Sequence, residues 1–216
     1  MDLPMLASIP LIMLMAGGST SIHIPILGDV GFGNLYFAII ALSIAVSSNL
    51  TNMLAGFNGM EYGMALPMYA GLSIAAFLSG NYTIALVASA ALGAFLAGFA
   101  FGFPKARAFP GDIGTFLIGG LLACLLVAGR MEMYAIVFIP YLIDFAIKAL
   151  NRFPSTNWWG EYRDGKLYCP NGKARGFAQL AMKMFNGITE QKLVLFFIGL
   201  EALFSAAGVL LFVLRL

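Results

Sequence analysis

The chain has 216 residues, 61% of them hydrophobic and only 10% charged, with a mean hydropathy of +0.90. Soluble domains carry roughly 25% charged residues, so a soluble fold is excluded and an all-α, polytopic membrane helix bundle is expected. A net charge of +2 gives no footing for a nucleic-acid partner, and Cys124, Cys169 and the single His23 supply neither a disulfide framework nor a histidine-rich metal site.

A membrane-spanning helix needs about 20 mostly apolar residues. Seven stretches are predicted as spans: 3–17, which is short, then 33–51, 64–79, 82–102, 113–129, 132–150 and 192–214. Glycine, asparagine and proline mark the breaks between them, and Met1–Pro4 lacks the basic segment of a signal peptide. The segment 151–191 reads as one long polar loop carrying Trp158, Trp159, Tyr162 and Tyr168, aromatic residues that favour membrane interfaces. No internal repeat divides the chain, so 1–216 is expected to form a single integral membrane domain.

Alternation of these spans places 51–63, 103–112 and 151–191 on one side. Lys105, Arg107, Lys148, Arg152, Arg163, Lys166, Lys173, Arg175, Lys183 and Lys192 lie on or bordering that side, against Arg130 and Arg215 on the other. Positive charge accumulates in cytoplasmic loops, so the first side is expected to be cytoplasmic. The membrane is expected to be the plasma membrane of a prokaryote, an archaeon.

Two polar blocks fall on that side, although neither decided the assignment. The first is Asn49-Leu-Thr-Asn52-Met-Leu-Ala-Gly56-Phe-Asn58-Gly59-Met-Glu61, at the end of the second span. Asn49, Asn52 and Gly56 share one helical face, and polar groups at such depth point to a site. Interhelical hydrogen bonding by buried amides is an equal alternative for this block alone. The second block is Phe109-Pro-Gly-Asp112-Ile-Gly-Thr115, with Lys105 and Arg107 just upstream. Asp112 opens a helix, where a carboxylate is also an ordinary cap. A carboxylate, two cations and an aromatic ring so close together also suit the edge of a nucleotide–Mg²⁺ site, because Mg²⁺ takes one or two carboxylates and completes its octahedron with phosphate oxygens and water.

The pattern N-x-x-N-x-x-x-G-x-N-G-x-E followed by F-x-G-D resembles the polyprenyl-phosphate N-acetylhexosamine-1-phosphate transferases, most nearly the dolichyl-phosphate N-acetylglucosamine-phosphotransferases of eukaryotes and archaea. Leu6–Leu14, Asp164–Leu167 and Gly187–Leu193 are similar to further stretches of those enzymes. The resemblance implies transfer of N-acetylglucosamine-1-phosphate from its UDP-sugar to a polyprenyl or dolichyl phosphate in the bilayer, with Mg²⁺ (or Mn²⁺) as cofactor. It implies Asn52 and Asp112 as metal ligands and catalytic residues. Asn58, Phe109 and Gly111 would bind the nucleotide, Asn58 by hydrogen bonds to uracil and Phe109 by stacking. Asn49, Glu61 and Arg107 would support the site, and a homodimer is an open alternative for assembly.

Two departures matter. The family carries an acidic pair and a lysine in early spans, whereas Asp2 and Asp29 are isolated here; a piece lacking the first spans, and catalytically incomplete, is therefore the first alternative. The family's basic cluster in the last cytoplasmic loop is replaced by Pro154–Arg163, where Asn157, Trp158 and Arg163 are the candidates for phosphate or sugar contacts. A transporter is the second alternative, against which the polar groups gather at one face instead of at the midplane. Asp144 and Lys148 are expected to form an i,i+4 ion pair, and Glu201 to bond a neighbouring helix or line a lipid groove.

Overall fold

A computed structural model describes residues 6, 8–15, 18, 20–24, 28–129, 131–154, 156 and 159–214, without the side chains of 23, 24, 132 and 133. A short helix, α1 (Ile9–Met15), and a hairpin of β1 (Ser21–Ile24) and β2 (Gly28–Gly31) precede the bundle. The bundle contains α2 (Leu35–Met53), α3 (Met60–Leu78), α4 (Tyr82–Gly102), α5 (Gly111–Gly129), a 3₁₀ segment (Glu132–Phe138) running into α6 (Ile139–Leu150), and α8 (Glu190–Leu214). Four of these, α2, α4, α5 and α8, are long and apolar enough to cross a membrane. The expected bundle is therefore present, with four helices of that kind among the described residues where seven spans were predicted.

The helices differ in length, polarity and surroundings. Helix α4 packs closely on α3 along one side, and Leu86, Leu96 and Phe101 are exposed elsewhere along it, as suits a surface in contact with lipid. Helix α3 is the hub: Met60, Met64, Met68 and Leu72 form a fully buried stripe, and Tyr69 donates to the Ile118 carbonyl of α5 at 2.7 Å. A helix enclosed by protein tolerates Pro67, Glu61 and two tyrosines where a lipid-facing one would not. The stretch 132–150 is not one helix either. Pro140 sits in the first turn of α6, where its missing N–H costs nothing, and the residues before it take the tighter 3₁₀ winding.

Helices α2 and α5 run antiparallel in close contact. A Cβ on Gly119 would lie 2.1 Å from the Ser47 carbonyl, and one on Gly120 2.7 Å from Ser48 Oγ. Such small-residue seams let backbones approach inside membranes. Across the bundle, Tyr134 donates to the Met68 carbonyl at 2.8 Å and lies 2.7 Å from Ser205 Oγ of α8. Glu201 is fully buried, and neither of its oxygens has a hydrogen-bond partner among the described residues, so the expected bond to a neighbouring helix is not made there.

The segment 151–191 is more structured than a loop. It holds a hairpin of β3 (Glu161–Arg163) and β4 (Lys166–Tyr168), turned by Asp164–Gly165, both at positive φ. Asp-Gly suits that turn because both central residues must be left-handed. Helix α7 (Phe177–Met184) follows and buries Phe177, Ala178, Ala181 and Met182. Leu167 and Ile188 exchange backbone hydrogen bonds, pinning the hairpin to the approach to α8.

Candidate functional site

The end of α2, the starts of α3, α5 and α8, and the ends of α4 and α6 meet at one end of the bundle. A chain of contacts joins them. Asn52 on the last turn of α2 accepts from Thr115 Oγ1 of α5 at 2.7 Å, while Thr51 Oγ1 donates to the Thr115 carbonyl at 2.8 Å. Thr115 is buried, and its hydroxyl also lies 3.2 and 3.1 Å from the carbonyls of Gly111 and Asp112. Asn52 and Asp112 are thus held at the same end of the same helix pair. Asp112 itself is exposed and accepts no hydrogen bond from the described residues. Gly111, at φ +59°, supplies the left-handed residue from which α5 begins.

The loop between α2 and α3 is closed by Glu61. Its Oε1 accepts from the Gly56 N–H at 2.7 Å, and the carboxylate is buried in the first turn of α3, with Oε2 lacking a hydrogen-bond partner among the described residues. Gly59 (φ +76°) then abuts Gly102 and Phe103, and a Cβ on it would sit 2.7 Å from Phe103 Cβ. That approach brings the 103–110 loop beside the asparagine block. Asn58 completes the join. Its backbone N–H and its Nδ2 donate to the two oxygens of Glu190 at 2.8 and 2.9 Å, and its Oδ1 accepts from the Ala106 N–H at 3.3 Å. Phe109, on the same loop, is 57% exposed, with its ring free to stack. Arg107 is exposed and Lys105 lies nearby in the chain.

Asn49 and Asn52 face adjoining cavities. Asn49 donates within its own helix to the Ala45 carbonyl at 2.7 Å and lines a groove of about 410 Å³ otherwise walled by apolar side chains, including Leu42, Val46, Leu142 and Phe145. Asn52 lines a second cavity of about 280 Å³ with Lys148 and Pro154, and Met53 and Phe153 border both. Lys148 pairs with Asp144 at 2.7 Å, the expected i,i+4 contact, and also donates to the Met53 carbonyl at the C-terminus of α2. Asp144 in turn accepts from the Phe177 N–H at 2.8 Å, so α7 is fastened to the same corner.

The sequence reading took Lys148 only as an ion-pair partner and Glu190 only as part of the family-like stretch Gly187–Leu193, with a site role for neither. Arg163 pairs with Glu161 on the exposed hairpin and does not line either cavity. Asn157 and Trp158 lie outside the described residues.

The donor set fits a hard divalent cation. Asn52 Oδ1 keeps a lone pair beyond the one given to Thr115, and Asp112 offers a free carboxylate. No group of three or more acidic, histidine or cysteine residues is found among the described residues, which is consistent with an ion that takes most of its ligands from phosphate and water.

Comparison with known sequences identifies the family. The sequence model of glycosyl transferase family 4 matches residues 2–130. The chain belongs to this family. A protein of Saccharolobus solfataricus that bears the provisional name UDP-N-acetylglucosamine–dolichyl-phosphate N-acetylglucosaminephosphotransferase is 34% identical over 97% of the chain and 65% of its own length. Its like-named counterpart in Sulfolobus acidocaldarius is 36% identical over 96% of the chain and 63% of its own length. The phospho-N-acetylmuramoyl-pentapeptide-transferase of Leuconostoc citreum is 32% identical over 53% of the chain. The chain spans a little under two thirds of the two archaeal relatives. This family 4 chain is thus an integral membrane protein whose polar residues converge on one end of its bundle.

Proposed function

We propose that this family 4 protein transfers N-acetylglucosamine-1-phosphate from UDP-N-acetylglucosamine to a polyprenyl phosphate of the dolichyl type, releasing UMP. The observation that supports the reading is that Asn52 and Asp112 lie at one end of the α2–α5 pair, Asn52 bonded to the Thr115 hydroxyl that also lies against the Asp112 backbone carbonyl, and that Asn52 lines a cavity sharing Met53 and Phe153 with an apolar groove. The groove suits an isoprenoid chain, and the cavity beside it suits its phosphate. Lys148 has three donors, of which the Asp144 and Met53 contacts use two; the third is available to a phosphate oxygen.

In the reaction an oxygen of the lipid phosphate attacks the sugar-bearing phosphorus of the UDP-sugar. The bond from that phosphorus to the bridging oxygen breaks, and the oxygen leaves with UMP. No proton need move, because nucleophile and leaving group are both phosphate oxygens, so a site without histidine is adequate. Asn52 and Asp112 would hold a divalent ion, Mg²⁺ or Mn²⁺, which when bound neutralises the diphosphate and polarises the phosphorus. Thr115 fixes the Asn52 amide, Glu61 closes the loop that follows it, and Phe109 supplies a ring for the nucleobase. Asn58 orients that base, and Gly111 shapes the turn from Phe109 into α5. Lys105 and Arg107 add positive charge where an anionic nucleotide arrives. The abundance of Lys and Arg at this end supports a cytoplasmic orientation, and the archaeal sources of the two similar proteins support an archaeal plasma membrane.

The test is Mg²⁺-dependent binding of UMP and UDP-N-acetylglucosamine to the purified protein, followed by transfer to a short polyprenyl phosphate. Binding abolished by chelation is expected. Absence of nucleotide binding in Mg²⁺-replete buffer would sink the reading.

A further inference from the structure

We infer that Glu190 is a specificity-determining positioning residue, whose carboxylate locks the Asn58 amide in one polarity and so sets which pyrimidine the site accepts; this rests on the nucleotide-binding reading above. Glu190 stands 132 positions from Asn58, in the first turn of the 25-residue α8, where the helix N-terminus favours its charge. Its two oxygens take the Asn58 backbone N–H (2.8 Å) and Nδ2 (2.9 Å), and Asn58 Oδ1 takes the Ala106 N–H (3.3 Å).

The two ends of this amide meet opposite chemistry. An ionised carboxylate only accepts, and a backbone N–H only donates. Turning the Asn58 amide over would set Oδ1 against the carboxylate and Nδ2 against the Ala106 N–H. Two hydrogen bonds would become two repulsions, so the orientation is fixed from both sides. A primary amide has two N–H donors and two lone pairs. One of each is used here, and one of each remains.

That remaining pair has a defined direction. Uracil presents an N–H donor beside a carbonyl acceptor, whereas cytosine presents a ring-nitrogen acceptor beside an amine donor. An amide free to flip serves either base. A locked amide serves one, and the other meets donor against donor and acceptor against acceptor. Ala106 also shares its short loop with Phe109, so the contact that orients the amide also holds the segment carrying the stacking ring. Glu190 need not touch the ligand to do this.

The experiment measures UMP and CMP affinities of the whole chain in detergent with Mg²⁺, for the unsubstituted protein, Glu190→Ala and Glu190→Gln. Glutamine is nearly isosteric, yet faces two donors with one oxygen and one NH₂ group. Both variants are expected to lose about tenfold or more of the UMP-over-CMP preference. A purely structural loss would weaken both nucleotides alike and leave their ratio unchanged. Thermal unfolding identifies any variant that does not fold, and the other then carries the test. Retained preference in a folded variant would overturn the lock while leaving the transferase reading intact. Failure of the unsubstituted protein to bind UMP would overturn both.

Discussion

Replacing Thr115 with valine keeps the shape of the side chain and removes one hydroxyl. That hydroxyl lies 2.7 Å from Asn52 Oδ1 and is buried at 3% exposure, so no water replaces it without rearrangement. A partly buried acceptor stripped of its donor costs about 1–3 kcal/mol. Part of that cost appears as lost stability and part as freedom of the Asn52 amide to rotate away from the ion. Groups that orient a metal ligand are typically worth about 10–100-fold in metal affinity or activity. Thr115→Val is therefore expected to raise the Mg²⁺ concentration at half-maximal transfer by about that factor, with much of the rate recovered at saturating Mg²⁺. Thr115→Ser should stay near the parent. Thr51→Val is the structural control: it breaks the 2.8 Å bond to the Thr115 carbonyl but leaves Asn52 its donor, so it should lower thermal stability without moving the Mg²⁺ curve. The assay is initial rate of UMP release against Mg²⁺. A folded Thr115→Val protein with an unchanged curve would refute a metal role for Asn52.

Asp112→Asn should abolish transfer while changing stability by no more than about 0.5 kcal/mol, because the side chain is exposed and unbonded; circular dichroism and UMP release check the two halves. Lys148→Met leaves the Asp144 carboxylate, 1% exposed, without its partner cation. A loss of about 3 kcal/mol is expected, largely relieved by adding Asp144→Asn, and a double-mutant cycle on unfolding in detergent measures it. Leu142→Trp narrows the 410 Å³ groove; KM for the polyprenyl phosphate should rise with KM for the UDP-sugar unchanged, and the opposite pattern would place the lipid elsewhere.

The helices that carry the site were legible because their signal is long and unambiguous. The runs 33–51 and 113–129 correspond to Leu35–Met53 and Gly111–Gly129. The span predicted at 64–79 starts four residues after the helix itself, which begins at Met60 and takes in Glu61. Its bond to Gly56 is what makes the position tolerable, and that bond is invisible in a hydropathy trace. The β3–β4 hairpin carried a readable cue in Asp164–Gly165, overlooked because the surrounding polarity suggested a plain loop. Helix α7 was missed because eight residues are too few for a periodic pattern to stand out. Glu190 and Lys148 belong to another class. Each acts through a partner far away in sequence, Asn58 and Met53, and no local pattern records such pairings.

Those distant pairings explain how a site can be built from segment ends without a rigid sheet or domain beneath it. Asn52 to Thr115, Asn58 to Glu190 and to Ala106, Lys148 to Met53 and Asp144 to Phe177 tie each segment end at this face to at least one other. Most of these bonds satisfy backbone groups or amides that would otherwise be stranded at a membrane boundary. The same bonds therefore stabilise the helix ends and aim the side chains. A phosphate-transfer site needs little more than this, since charges held in place supply most of its catalysis. What distinguishes the arrangement from interhelical glue is what it leaves unspent: the Asp112 carboxylate, one lone pair of Asn52, a donor of Lys148 and the face of Phe109. Glue consumes its polar groups, whereas these remain available, those of Asn52 and Lys148 in a cavity that shares Met53 and Phe153 with the apolar groove.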